Sequence, residues 1–191
     1  MTSDAIAYSS ASGRLSSVVH QSQANGYYCG PATAAILIKA RTGTSYSQST
    51  MASSLRTTTD GTGWYDGGGK TGYPMPDTIN SYIGKTFYAK YGTSIDPNTF
   101  KLNVMYDIDL NYGLAGNAYE VVGGPHLVGH PNEKIYHWFA IDGYANYGDT
   151  IWYVDPVAGC SAISWSSSVP PYSSMNYKTL ATIIDGRGLI W

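Results

Sequence analysis

A cysteine, a histidine and a carboxylate of this chain lie in settings that suit nucleophilic catalysis. Cys29 stands in the stretch Gln23-Ala24-Asn25-Gly26-Tyr27-Tyr28-Cys29-Gly30-Pro31-Ala32-Thr33-Ala34. Asn25-Gly26 is a turn signal. Pro31 suits a first helical turn, where its missing N–H loses no bond. Ala32 to Ala40 is rich in helix formers, and Gly43 is a natural stop. The pattern predicts a helix over residues 30–41 with Cys29 at its positive end, a setting that favours the thiolate. The alternative is a small buried cysteine.

Residues 135–155 supply the other two groups. Two flanks rich in aromatic and β-branched residues surround a middle of Gly, Asn and Asp, the signature of a β-hairpin. A loop centred near Asn146 places His137 opposite Asp155, with Cβ atoms roughly 5 Å apart on one face. A one-residue slip would separate them onto opposite faces. Asp142 is the rival acid, but it lies on the same strand as His137, on the opposite face and about 16 Å away. A thiolate that attacks, an imidazole that shuttles the proton and an acid that orients the imidazole make up an activated nucleophile.

The ordered set Gln23, Cys29-Gly30-Pro31, His137 and Asp155-Pro156 resembles the papain-like cysteine peptidases, and among them the C39-like family related to bacteriocin-processing peptidases. The resemblance implies an α+β papain-like fold over residues 1–191 as one domain, with the cysteine helix packed on an antiparallel sheet that carries His and Asp. It implies cleavage of a peptide or protein substrate through a thioester acyl-enzyme, with no metal or cofactor. Cys29 would be the nucleophile, His137 the general acid/base and Asp155 the orienting acid. Gln23 would donate to the oxyanion, where donors contribute strongly, and Gln21 stands close by as an alternative. Many family members carry an acidic residue just before the cysteine; here it is Tyr28, which leaves substrate preference open. Other outcomes of the same machinery are transpeptidase or transglutaminase-like acyl transfer and hydrolysis of peptidoglycan cross-bridges. A further alternative is a non-catalytic wall- or glycan-binding module on the same fold.

Composition narrows the setting. The chain has 191 residues, enough for one domain with a real core, and a net charge of −2. No basic stripe is available to neutralise phosphates, which argues against a nucleic-acid partner. Charged residues make up only 13%, while tyrosine occurs 18 times. A low-charge, hydroxyl-rich composition points to a secreted protein. Met1-Thr2-Ser3-Asp4 has neither the basic start nor the apolar run of a signal peptide, so the expectation is a mature form with an added initiator Met; a cytoplasmic protein is the alternative. Neither an ATP-binding motif nor a run of about 20 apolar residues occurs, so a full transporter is not expected.

The remaining elements must position the chemistry. A Ser-rich extended arm or edge element is expected over residues 1–20, a second helix over 45–55 and a third over 75–82. A Gly-rich loop at 57–71 is a candidate wall of the substrate cleft. Strands are expected at 86–91, 103–108, 162–165 and 189–191, with a helix over 176–184. Asp107-Ile108-Asp109 resembles the start of a calcium loop, but Tyr112 and Ala118 stand where Gly and Glu are needed. His126 and His130 have helical zinc spacing, but Gly123-Gly124-Pro125 and Pro131 exclude a helix, leaving a cleft-lining role. Cys160, five residues beyond Asp155, could pair with Cys29 in a disulfide or be a small buried residue.

Overall fold

The structure is a computed structural model that describes residues 10–191. Helix α1 (Cys29–Thr42) ends at Gly43, whose φ of 76° and N–H bond to Lys39 O (2.8 Å) form a left-handed cap that suits glycine. Every residue from Gly30 to Ile38 is buried, so α1 runs through the interior rather than along the surface. Helix α2 (Gln48–Ser54) begins at Ser47, which accepts the N–H of Thr50, and α3 (Pro74–Ile83) begins with Pro74.

One antiparallel sheet takes strands from both ends of the chain. They are β1 (Gly13–Arg14), β2 (Lys90–Tyr91), β3 (Leu114–Glu120), β4 (Ile135–Ala145), β5 (Thr150–Val154), β6 (Tyr172–Asn176) and β7 (Gly188–Ile190). Their order is β2-β7-β3-β4-β5-β6, with β1 against β4. Alternation decides which face each residue serves. Trp138, Ala140, Ala115 and Ile190 pack under α1, α2 and α3. Phe139, Ile141, Leu114 and Leu189 pack under α4 (Pro97–Asp109) and α5 (Tyr177–Ile184). With both faces covered, the middle of β4 is a continuous apolar run.

Several expectations are corrected. Residues 103–108 form no strand but lie within α4, and the apparent alternation Val104, Tyr106, Ile108 is a coincidence of spacing. Asp96 caps the helix by accepting Thr99 N–H, Pro97 occupies its first turn, and Phe100, Val104, Met105 and Ile108 form its buried stripe. This also removes the calcium-loop reading of Asp107 to Asn111, because the side chain of Asp107 is fully buried in a helix. Residues 162–165 are turns, and the strand lies later, at β6. Of the 86–91 segment only Lys90–Tyr91 is strand, extended by Ala89, which exchanges backbone hydrogen bonds with Trp191. The central strand β3 was not expected, because Gly116 and Asn117 interrupt any strand-like composition. Gly116 is there because the Phe139 ring lies over it on the neighbouring strand, leaving no room for a Cβ. Of the expected N-terminal arm, Gly13–Arg14 forms β1; residues 1–9 lie outside the described residues. Among the described residues no helix is long and apolar enough to cross a membrane.

Candidate active site

A single bulge governs which acid meets His137. Near the hairpin loop, Tyr144 pairs with Ile151 and Gly143 with Trp152; past a register shift around Asp142, Ile141 pairs with Tyr153 and Ala140 with Val154. The second register, continued one step, sets Asp155 across from Phe139, diagonal to His137 and on the same face. The expected direct pairing is therefore off by two residues, an even displacement that preserves the face. Without the bulge, Asp155 would stand across from Ala140 and point to the other side. Asp142 itself turns to Arg14, which donates through Nε at 3.0 Å.

His137 Nε2–H donates to Asp155 Oδ1 at 2.8 Å. The imidazole and the Cys29 thiol line the same cleft, and Nδ1 is the ring nitrogen left for the sulfur. Burial pushes the Cys29 thiol up, but His137 and the N–H groups of Trp138 and Gly30 outweigh it and hold the thiol below its usual range. Tyr28, at the helix N-cap, offers no side-chain cap, and the first turn holds no acid. The helix N-terminus thus keeps its positive end for the sulfur. Burial alone would lower the His137 pKa; the Asp155 carboxylate and Cys29 raise it far above the imidazole value instead. Asp155 is held well below the carboxylate range by His137 and His130 despite complete burial. Its Oδ1 also accepts Val157 N–H at 2.9 Å.

Gly30 shapes the surroundings of Cys29. A Cβ at Gly30 would run into the Thr62 side chain. Thr62 belongs to the Gly-rich loop, and its carbonyl accepts Trp138 Nε1–H at 3.0 Å. Gly67 to Gly69 lie elsewhere, Gly67 against Tyr65 and Gly68 and Gly69 against Arg56. The loop thus supplies a cleft wall through residues 59–62 and not through its glycine run. The cleft, about 160 Å³, is lined by Tyr27, Cys29, residues 59–62, Asn117, Tyr136, His137, Trp138 and Arg187. A larger cavity of about 950 Å³ lies between α2, α3 and the 69–71 turn and contains none of these groups.

Gln23 is buried and tied to the acid's segment by its backbone N–H, which donates to Pro156 O at 2.7 Å. Its side-chain Nε2 donates to Asn25 O at 2.7 Å. Gln21, the alternative, is only partly buried. Cys160 is buried and free, its thiol 3.7 Å from the same Asn25 carbonyl, and Cys29 is free as well, so the two form no disulfide. His20 Nε2 meets the Asp155 carbonyl at 3.0 Å. His126 is engaged with the carbonyls of Gly124 and Glu133 and does not converge with His130.

His130 holds a place that sequence reasoning missed. Its Nδ1 meets Glu120 Oε2 and its Nε2 meets Asp155 Oδ2, each at 2.9 Å. Glu120, His130 and Asp155 come from three separate segments, and no spacing in the sequence links them.

Residues 15–178 match the model of the Peptidase_C39-like family. In three dimensions the chain is similar to the peptidase domain of Streptococcus ComA, a bi-functional ABC transporter involved in a quorum-sensing pathway. The TM-score is 0.51 at 16% identity, over 91% of this chain and 96% of that one. No curated protein sequence matches the chain. The structural likeness carries the fold, α+β and papain-like, and together with the family match it supports a cysteine peptidase. With most of its length inside the family's pattern, the chain belongs to the peptidase C39-like family.

Proposed function

We propose that the protein hydrolyses peptide bonds in a peptide or protein substrate, with Cys29, His137 and Asp155 as its catalytic triad. The observation that carries this reading is the His137–Asp155 hydrogen bond in the cleft that the Cys29 thiol also lines, at an uncapped helix N-terminus. The thiolate of Cys29 attacks the scissile carbonyl carbon, forming a C–S bond and an oxyanion. Collapse breaks the C–N bond, and His137 gives its Nδ1 proton to the leaving amine. Water then attacks the thioester while His137 takes its proton, and expulsion of the thiolate releases the acid. Asp155 keeps the imidazole oriented through Nε2.

The oxyanion falls to the Cys29 backbone N–H and the Gln23 amide. One Nε2 hydrogen of Gln23 serves Asn25 O, and the other remains to donate. Gln23→Ala should lower kcat by about 10²–10³-fold with little change in Tm; an unchanged kcat would remove Gln23 from the chemistry.

Cys29→Ala should abolish cleavage of a fluorogenic peptide library while circular dichroism stays that of the wild type. Full activity in that variant would reject the assignment. Iodoacetamide should label Cys29 rapidly below pH 7, and His137→Ala should slow it to a rate rising only near a free thiol's pKa of about 8.5.

A further inference from the structure

The imidazole of His130 is held between two carboxylates, and its surroundings leave it few protonation states. The side chains of His130 and Glu120 are fully buried and that of Asp155 nearly so. A carboxylate can only accept, so a ring with a carboxylate oxygen at 2.9 Å from each nitrogen satisfies both contacts only by carrying both protons. With the Cys29 thiolate beyond it, the hydrogen-bonded series then alternates in sign: Glu120 negative, His130 positive, Asp155 negative, His137 positive, Cys29 negative.

The ring is fixed from every side. Glu120 also accepts Leu127 N–H through Oε1 at 2.7 Å, anchoring the loop that carries His130 to β3. Val128 N–H donates to Tyr153 Oη at 2.9 Å, anchoring it to β5. Gly129 has a φ of 83°, and a Cβ there would strike the Ser168 carbonyl. Trp165 closes over the ring edge-on at 4.7 Å between centroids, and the His137 ring lies 5.3 Å away. The titratable groups facing this unit are Glu120 from β3, His137 from β4 and Tyr153 from β5. Asp155 stands beyond β5, and His20 reaches its carbonyl.

We propose that His130, charged by Glu120, is a positioning residue of the triad: it grips the outer oxygen of Asp155, aims the inner oxygen at His137, and sets the pH range in which the Cys29–His137 pair persists. The proposal rests on the peptidase reading of Cys29, His137 and Asp155. Physically, the imidazolium draws negative charge on Asp155 toward Oδ2. That leaves the carboxylate a weaker base toward His137, so the proton stays on the imidazole and remains available to the leaving amine. The cation is also a like charge for His137 and an opposite one for the Cys29 thiolate. Its loss raises both the pH at which the ion pair forms and the pH at which His137 gives up its proton.

Glu120→Gln is the informative variant. The new amide oxygen still accepts Leu127 N–H, and the amide N–H can donate to Nδ1 of a neutral His130 that keeps Nε2–H on Asp155. The hydrogen bonds survive and the cation goes. Alkylation of Cys29 by iodoacetamide from pH 4 to 11, read by peptide mapping, gives both transitions without a substrate: the first as the ion pair forms, the second as His137 deprotonates. In Glu120→Gln, and in His130→Gln, the second transition should move up by about half a unit or more, the first by less. Profiles that superimpose on the wild type in folded variants would overturn the proposal. A wild type without any low-pH transition would instead defeat the peptidase reading, which keeps the two failures distinct. Should neither variant fold, ring ¹⁵N NMR of the wild type at pH 7.5 decides: both His130 nitrogens protonated supports the bridge, and a neutral tautomer overturns it.

Discussion

Two aspartates of this molecule are equally buried and opposite in character. Asp155, beside β5, receives His137 Nε2–H, His130 Nε2–H and Val157 N–H on its two oxygens, and it stays ionised far below the usual carboxylate range. Asp107, inside α4, has neither carboxyl oxygen partnered among the described residues, and burial pushes it up to about 8. The same side chain is thus a permanent anion in one place and a neutral acid at pH 7 in the other. Burial disfavours charge in both; only at Asp155 do donors and cations reverse the outcome. Asp142 stands between them, with Arg14 as its single ionic partner among the described residues, and burial still raises it. What separates the ionised carboxylate from the neutral one here is the number of donors aimed at it, not its depth.

The strongest way to break this contrast is to remove the charge of Asp155. Asp155→Asn should reduce kcat/KM by on the order of 10²–10⁴-fold, because the imidazolium of His137 loses its counter-charge and one of the two histidines is left facing an amide N–H. A loss below tenfold would mean that the Cys29–His137 pair needs no acid.

The next effect is on stability. Asp107 is raised in the folded state, so folding is unpenalised below pH 4 and loses stability as pH climbs from about 4 toward 8, where the unfolded chain ionises and the folded one does not. Asp155 has the opposite sign: its contribution is present above pH 4 and fades only in strong acid. His137, raised in the fold, contributes below about pH 6.5 and loses that contribution as pH rises through its folded value. Asp107→Asn should therefore gain stability relative to wild type on going from pH 4 to pH 8, by on the order of a few kcal/mol, in paired urea melts. A gap that does not widen with pH would show Asp107 to be ionised in the fold.

The smallest effect belongs to the intermediate case. Arg14 is half exposed, so Arg14→Leu should cost on the order of 1 kcal/mol at pH 7, read as a Tm drop of a few degrees. A much larger loss would place the Arg14–Asp142 pair with the closed, multiply bonded kind that Asp155 exemplifies.

The local code of the chain was legible wherever a short stretch decides its own structure. Pro31 inside the start and Gly43 past the end bracket α1 because one lacks the N–H a first turn does not use and the other tolerates a left-handed backbone. Those bounds put Cys29 at a helix terminus before any packing is considered. The hairpin from Ile135 to Val154 was equally plain from its aromatic and β-branched flanks. Helix α4 was misread because Val104, Tyr106 and Ile108 satisfy a period of two while Phe100, Val104 and Ile108 satisfy a helical one, and only the partner surface chooses between them.

The residues themselves determined that a cysteine would sit on a helix end and that a histidine and an aspartate would share a hairpin. Tertiary structure alone decided that they meet. The bulge at Asp142 shifts the register by one, and with it the face on which Asp155 appears, because strand side chains alternate and a single inserted residue inverts everything beyond it. The Glu120–His130 bridge was likewise beyond any local reading, since its three groups are far apart in sequence and adjacent only after β3, the Gly129 loop and the end of β5 have packed. Periodicity reports how a segment folds on itself; the pairing of charges across segments follows from which surfaces bury each other.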